Sequence, residues 1–100
     1  MVERHVYIKL TAEHASPAGR AAAAAEIRGV FARIPGVLAV TVGIPADDAS
    51  AASWDLAVTV SFRSAADIGP YLAHPLHQEW KRDTLQPKLE FLKAWNFDVG

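Results

Sequence analysis

The stretch Trp54-Asp55-Leu56-Ala57-Val58-Thr59-Val60-Ser61-Phe62 alternates large apolar residues with small ones at a period of two. That period is a β-strand signature, with Trp54, Leu56, Val58, Val60 and Phe62 assigned to one face and Ala57, Thr59 and Ser61 to the other. Upstream, residues 37–45 are rich in Val, Leu and Ile and read as a second strand, joined to the first by the small, polar segment 46–53, which suits a mobile connection. Before them, Ser16-Pro17 starts a helix that runs to about Ile34, where Pro35-Gly36 stops it. Ile27, Val30, Phe31 and Ile34 form its buried stripe, and Ala21–Ala25 is good helix-forming sequence. The chain opens on another alternating strand over residues 4–11, with Val6, Ile8 and Leu10 on one face and His5, Tyr7 and Lys9 on the other.

Downstream, Ser64 and Asp67 have the spacing of a capping box and open a short helix. Pro70 is expected to kink or break that helix just before Tyr71. His74 precedes Pro75, which starts a further helix ending before Pro87, and residues 88–98 return as a last strand carrying Phe91, Trp95 and Phe97. The order β-α-β-β-α(α)-β predicts an α+β, ferredoxin-like fold with a four-stranded antiparallel sheet, in a single domain over residues 1–100.

Composition narrows the function classes. The chain has 100 residues, 51% of them hydrophobic, and so has the makings of a modest globular core. A formal net charge of −1 leaves no basic footprint for nucleic acid. The absence of cysteine removes disulfides, zinc–thiolate sites and thiol catalysis. No apolar run is long enough for a bilayer and no signal-like core precedes the first strand, so a cytoplasmic protein with no membrane partner is expected.

Two helical segments cover one face of a four-stranded sheet, yet the strands are apolar on both. Leu38, Val40 and Val42 lie beside Val37 and Ala39, and Trp95 and Phe97 lie beside Leu92 and Ala94. A second copy packed sheet to sheet by two-fold symmetry is the economical cover, so a homodimer is expected.

Several stretches also resemble one family over nearly the whole chain. They are Arg-His-Val-Tyr-Ile-Lys-Leu at residues 4–10, Ile34-Pro35-Gly36-Val37, Ser53-Trp54-Asp55-Leu56-Ala57-Val58, and a terminal Phe97-Asp98-Val99. Tyr71-Leu72-Ala73-His74-Pro75-Leu76-His77-Gln78 is the most specific of them. Together they are similar to the stress-responsive A/B-barrel (Dabb) family. The resemblance implies a dimeric α+β barrel of unassigned specific activity, since many members have none assigned, and no cofactor is expected. It also implies a distant likeness to the plant polyketide cyclases of the olivetolic acid cyclase type, which close a linear polyketide by aldol chemistry.

In those cyclases the chemistry is attributed to a Tyr and a His that correspond here to Tyr71 and His77. An aldol closure needs a base to take a proton beside a carbonyl and a donor to stabilise the resulting enolate or alkoxide. His77, in the first turn of the helix begun by Pro75, is expected to stay neutral against the positive helix end. Asp98 is the candidate to orient its ring, since the first and last strands place Asp98 and His5 at the same end of the sheet. His5, Tyr7, Leu56, Val58 and Ile27 are the expected ligand-lining residues. The chain departs from the cyclases at Ala21–Ala25 and Ile27, where their first helix carries aromatic residues, and at Leu56, where they carry a histidine, so polyketide cyclisation is not inherited.

Other readings are weaker. His74 and His77 are three apart and, with His5 or Asp98, make a possible metal set, but His74 before a proline need not share a helical face with His77. No metal is expected, and haem, bound by other dimeric α+β barrels, has no support here beyond a lone histidine. Asp47-Asp48 reads as a solvated acidic loop, and Lys81-Arg82 and Lys88 as solvated charges. Two function classes remain. One is a cofactor-independent lyase, cyclase or isomerase on a carbonyl compound, with His77 as base and Tyr71 as donor. The other is a non-catalytic dimer that binds a small apolar or aromatic ligand or serves a stress role.

Overall fold

The computed structural model describes residues 1–100. Four strands, β1 (Val2–Leu10), β2 (Ala39–Gly43), β3 (Leu56–Phe62) and β4 (Leu89–Asp98), form one antiparallel sheet in the order β2-β3-β1-β4. Helix α1 (Pro17–Phe31) connects β1 to β2, the short α2 (Asp48–Ser53) connects β2 to β3, and α3 (Ile68–Ala73) and α4 (Pro75–Glu79) lead towards β4. The ferredoxin-like α+β fold expected from the sequence is therefore present.

The register sets which residues meet. Val2, Arg4, Val6 and Ile8 lie opposite Asp98, Asn96, Ala94 and Leu92 on β4, while on β3 Val6 and Ile8 face Val58 and Leu56. By strand alternation these share the helix-covered face. Ile8, Leu10, Leu56, Val58, Val60 and Phe62 are at most 2% exposed there, packed with Ile27, Phe31 and Ile34. Burying each such side chain contributes about 1.5–3 kcal/mol, and the sheet is held to the helices chiefly by this set. On the opposite face Phe91, Trp95 and Phe97 are 47%, 51% and 52% exposed.

Local chemistry explains where the elements depart from the sequence reading. Helix α1 ends at Phe31, three residues early, and β2 is shorter than 37–45. Segment 46–53, whose composition suits a mobile connection, contains α2: Asp47 caps it by accepting from the Ser50 amide at 2.8 Å, and its alanines favour helix. Ser64 makes no side-chain cap bond, so the capping box is not formed. Pro70 does not break α3. It falls in the first turn, where its missing N–H has no intrahelical partner to lose, and the break comes instead at His74, which is extended (φ −63°, ψ 139°). There the His74 ring Nδ1 accepts from the Leu76 amide at 3.1 Å and caps α4. The helix then widens into a π-helical turn over Trp80–Leu85 before a short 3-10 turn reaches β4.

Trp54 also differs from the alternation. It precedes β3, and its ring packs on Tyr7 and Phe91, which belong to the open face. Beside it Asp55 is fully buried. Its carboxylate accepts from the Leu10 amide at 2.7 Å and from Arg20 Nε at 2.9 Å, with Lys9 Nζ at 3.6 Å, and its own amide donates to the Ile8 carbonyl. Asp55 thus ties the end of β1 to the start of β3 and to α1.

Candidate functional site

A cavity of about 230 Å³ opens between the sheet and the α3–α4 segment. Val6, Ile8 and Val58 make its floor with Leu92, and Phe31, Leu72, Trp80 and Leu85 wall it. Four polar residues join Tyr71 on its lining: Arg4, His77, Gln78 and Lys81. The break at His74-Pro75 lets Tyr71, on α3, and His77, on α4, turn towards each other although they lie on separate helical segments.

His77 is 8% exposed and lies in an aromatic nest. Its ring stands edge-on to Tyr71 at 4.8 Å, stacks on Phe31 at 5.7 Å and meets Trp80 at 5.7 Å. Its Nδ1 is buried and has no hydrogen-bond partner. Burial, reinforced by the positive charges of Arg4 and Lys81, pushes the His77 pKa down to about 4, so the ring is neutral near neutral pH. The sequence reading expected a neutral ring on account of the helix end; the cause is burial and two cations. Tyr71 is 1% exposed, and burial raises its pKa, partly offset by Arg4, so it remains a protonated phenol. A neutral imidazole and a phenol on one apolar cavity can accept and donate a proton, respectively.

The other expected site residues are placed as follows. Asp98 does not pair with His77: it lies opposite Val2 at the far end of β4, is exposed, and leaves the His77 Nδ1 unbonded. His5 and Tyr7 face away from the cavity, because odd-numbered positions of β1 point to the open face. There His5 Nε2 bonds Glu3 Oε1 at 3.1 Å and packs on Phe97, while Tyr7 packs on Trp54. Sharing a sheet end therefore does not bring His5 and Asp98 to one site. Val58 lines the cavity, whereas Leu56 and Ile27 sit deeper in the core beside a much smaller void of about 10 Å³.

Two cavity residues were not singled out from sequence. Arg4 was read only as part of a family stretch, although the same alternation that buries Val6 and Ile8 turns Arg4 to their side. Lys81 was read as a solvated charge, and the π-helical turn brings it to the cavity rim. His74 is occupied as a cap, and no group of three or more His, Asp or Glu side chains converges as a metal site would require. No helix is long and apolar enough to cross a membrane.

No curated protein matches the chain. Among solved structures, a Dabb family protein with a ferredoxin-like fold from Mesorhizobium loti superposes with a TM-score of 0.82 at 19% identity, covering 99% of this chain and 97% of that one. A dimeric ferredoxin-like protein of unknown function from Thermobifida fusca gives 0.80 at 17% identity, covering 98% and 90%. A hydroxynitrile lyase from Passiflora edulis gives 0.79 at 17% identity, covering 99% and 93%. At these identities the likeness is one of fold. The family model for the stress responsive A/B barrel domain (Dabb) matches residues 2–99, and the chain belongs to that family.

Proposed function

We propose that this chain binds a small organic ligand in the cavity beneath α3 and α4, as one half of a homodimer. The observation that carries the ligand reading is the convergence of His77, whose buried Nδ1 has no partner, with Tyr71, Arg4 and Lys81 on the lining of one mostly apolar cavity. A buried polar atom left unbonded costs about 1–3 kcal/mol, a cost that native proteins concentrate at functional sites. A thermal-shift screen of small aromatic and aliphatic carbonyl compounds tests it: hits on the wild type should be lost in His77→Ala. Hits that persist unchanged in that variant place binding elsewhere.

The pairing of His77 with Tyr71 favours a second, catalytic form of the same reading. His77, kept neutral, takes a proton beside a carbonyl or from the hydroxyl of a carbonyl adduct, and Tyr71 donates to the developing oxyanion. A hydroxynitrile lyase on the same fold is consistent with such chemistry. Incubating aryl ketones in heavy water and following deuterium uptake at the α-carbon by NMR tests this form. Exchange that His77→Ala leaves unaltered would refute it.

The homodimer rests on the open face. Phe91, Trp95 and Phe97 are exposed on it, with Trp54 packed between Tyr7 and Phe91 and His5 packed on Phe97. A second copy of the same face covers it by two-fold symmetry, as expected for a relative of dimeric structures. Dimer formation of this kind occupies the face opposite the cavity and leaves the cavity's own lining intact.

A further inference from the structure

Two cations, Arg4 and Lys81, line the cavity and neither forms an ion pair. Arg4 makes one side-chain bond, from Nη1 to the neutral Asn96 Oδ1 at 3.1 Å, and Lys81 makes none. The chain's ion pairs engage Lys9 and Arg20 with Asp55, Arg82 with Asp83, Lys88 with Glu26, and His5 and His14 with neighbouring glutamates; none involves Arg4 or Lys81. The nearest acidic position on the same face of the sheet, Asp98, is diagonal to Arg4 across β1 and β4 and forms no ion pair with it. Both charges add to burial, the larger cause, in holding the His77 pKa down.

An arginine turned to the helix-covered face without an anion is an unusual choice, since neutral alternatives fit a strand there at less cost in desolvation. Apart from Gln78 and His77, the remaining lining is apolar and aromatic. From this we infer that the ligand is a small monocarboxylic acid with an apolar or aromatic body, its carboxylate held by Arg4 and Lys81 and its body against Phe31, Trp80 and Leu92. The inference rests on the reading of this cavity as a ligand site and names the ligand class.

A carboxylate suits these groups better than a phosphate does. The guanidinium fork of Arg4 matches two coplanar oxygens, and Lys81 adds a point charge from the rim. A phosphate ester brings more oxygens and up to a second charge, and the lining has no cation beyond Arg4 and Lys81 to meet it. The cavity volume of about 230 Å³ also lies below the range of about 300–1,000 Å³ usual for drug-sized ligands, so the body is on the scale of one ring or a short chain. The acid group would sit at the Arg4–Lys81 side, leaving the carbon skeleton beside Tyr71 and His77.

The test compares charged and neutral probes of one shape. Phenylacetate and cinnamate are titrated by calorimetry against phenylacetamide and cinnamamide, on wild type, Arg4→Gln and Lys81→Gln. The acids should bind the wild type about tenfold or more tightly than the amides, and Arg4→Gln should remove most of that preference. Lys81 is exposed, so Lys81→Gln keeps the comparison available if Arg4→Gln folds poorly, and it should reduce the preference and weaken its salt dependence. Amides that bind as well as acids would overturn the carboxylate inference and leave the cavity reading standing. Acids that bind with the same preference in both variants would also overturn it, by placing the carboxylate elsewhere. If none of the four probes binds the wild type, the carboxylate inference fails. Loss of the wider carbonyl-compound screen as well would remove the cavity reading beneath it.

Discussion

The His77 ring meets the Tyr71 ring edge to face, 4.8 Å between centroids and 63° between planes, across the break at His74-Pro75 that separates their two helical segments. The contact places a neutral imidazole and a protonated phenol against one apolar cavity, and it makes the His77 environment measurable through its titration.

The lowered pKa of His77 has a defined effect on stability. Unfolded, the histidine binds its proton at about pH 6.5, whereas in the folded chain burial, Arg4 and Lys81 hold the pKa at about 4. Between those two values the unfolded state is protonated and the folded state is not. Stability from this group is therefore fully present above the unfolded value, falls as pH drops through the window, and levels off below the folded value. The expected loss is at most about 3 kcal/mol, less where solvent screens the ring, read as the change in urea-unfolding free energy across the window. An imidazole NMR titration of His77 with its midpoint at the unfolded value would contradict the buried placement.

Replacing His77 with phenylalanine separates stability from function. The substitution keeps a flat ring among Phe31, Tyr71 and Trp80 and removes the unbonded Nδ1. His77→Phe should raise stability by about 1 kcal/mol while abolishing ligand binding, and it should flatten the pH dependence just described. A variant less stable than wild type would mean that Nδ1 has a partner that matters to the fold.

Asp55 is the residue whose loss should damage the fold most. Its carboxylate is wholly buried and joins the Leu10 amide, Arg20 and Lys9. Asp55→Ala should cost about 3–5 kcal/mol by leaving the Arg20 charge and the Leu10 amide uncompensated. Thermal unfolding would show a correspondingly large fall in Tm, and a small one would show that water replaces the carboxylate readily.

Assembly can be tested on the open face without touching the cavity. Trp95, 51% exposed, lies on β4 opposite His5. Trp95→Glu should shift the protein from dimer to monomer in sedimentation velocity, because it sets two charges against each other in a face-to-face pair. A wild type that sediments as a monomer at micromolar concentration, or a Trp95→Glu variant that remains dimeric, would reject this interface.

Much of the fold was legible in the sequence, and the misses have physical causes. The strand periods and the Ser16-Pro17 and Pro35-Gly36 boundaries were sufficient for the element order. Gly36 indeed has a positive φ of 92°, which favours glycine. Helix α2 was missed because small polar residues read as loop until Asp47 is seen capping them. Pro70 was misjudged because its effect depends on its position within the turn, and the helix begins later than Ser64 suggested.

The site was legible only in part. Tyr71 and His77 were found through a local motif, and they do line one cavity. Asp98 and His5 were added by reasoning about sheet ends, but an end holds two faces, and facing is fixed residue by residue through the strand register.

The strand spacing that identified the fold was a local property, one that the chain's own pattern determines: alternation, helix stops and the two-sided apolar strands all follow from short-range sequence. Which charges meet in the cavity was decided only by tertiary structure. Arg4 and Lys81 are 77 positions apart in the numbering (81 − 4), and strand register and a π-helical turn bring both to His77. Burial then sets the proton affinity of that ring, and burial is a property of the packed whole rather than of any segment.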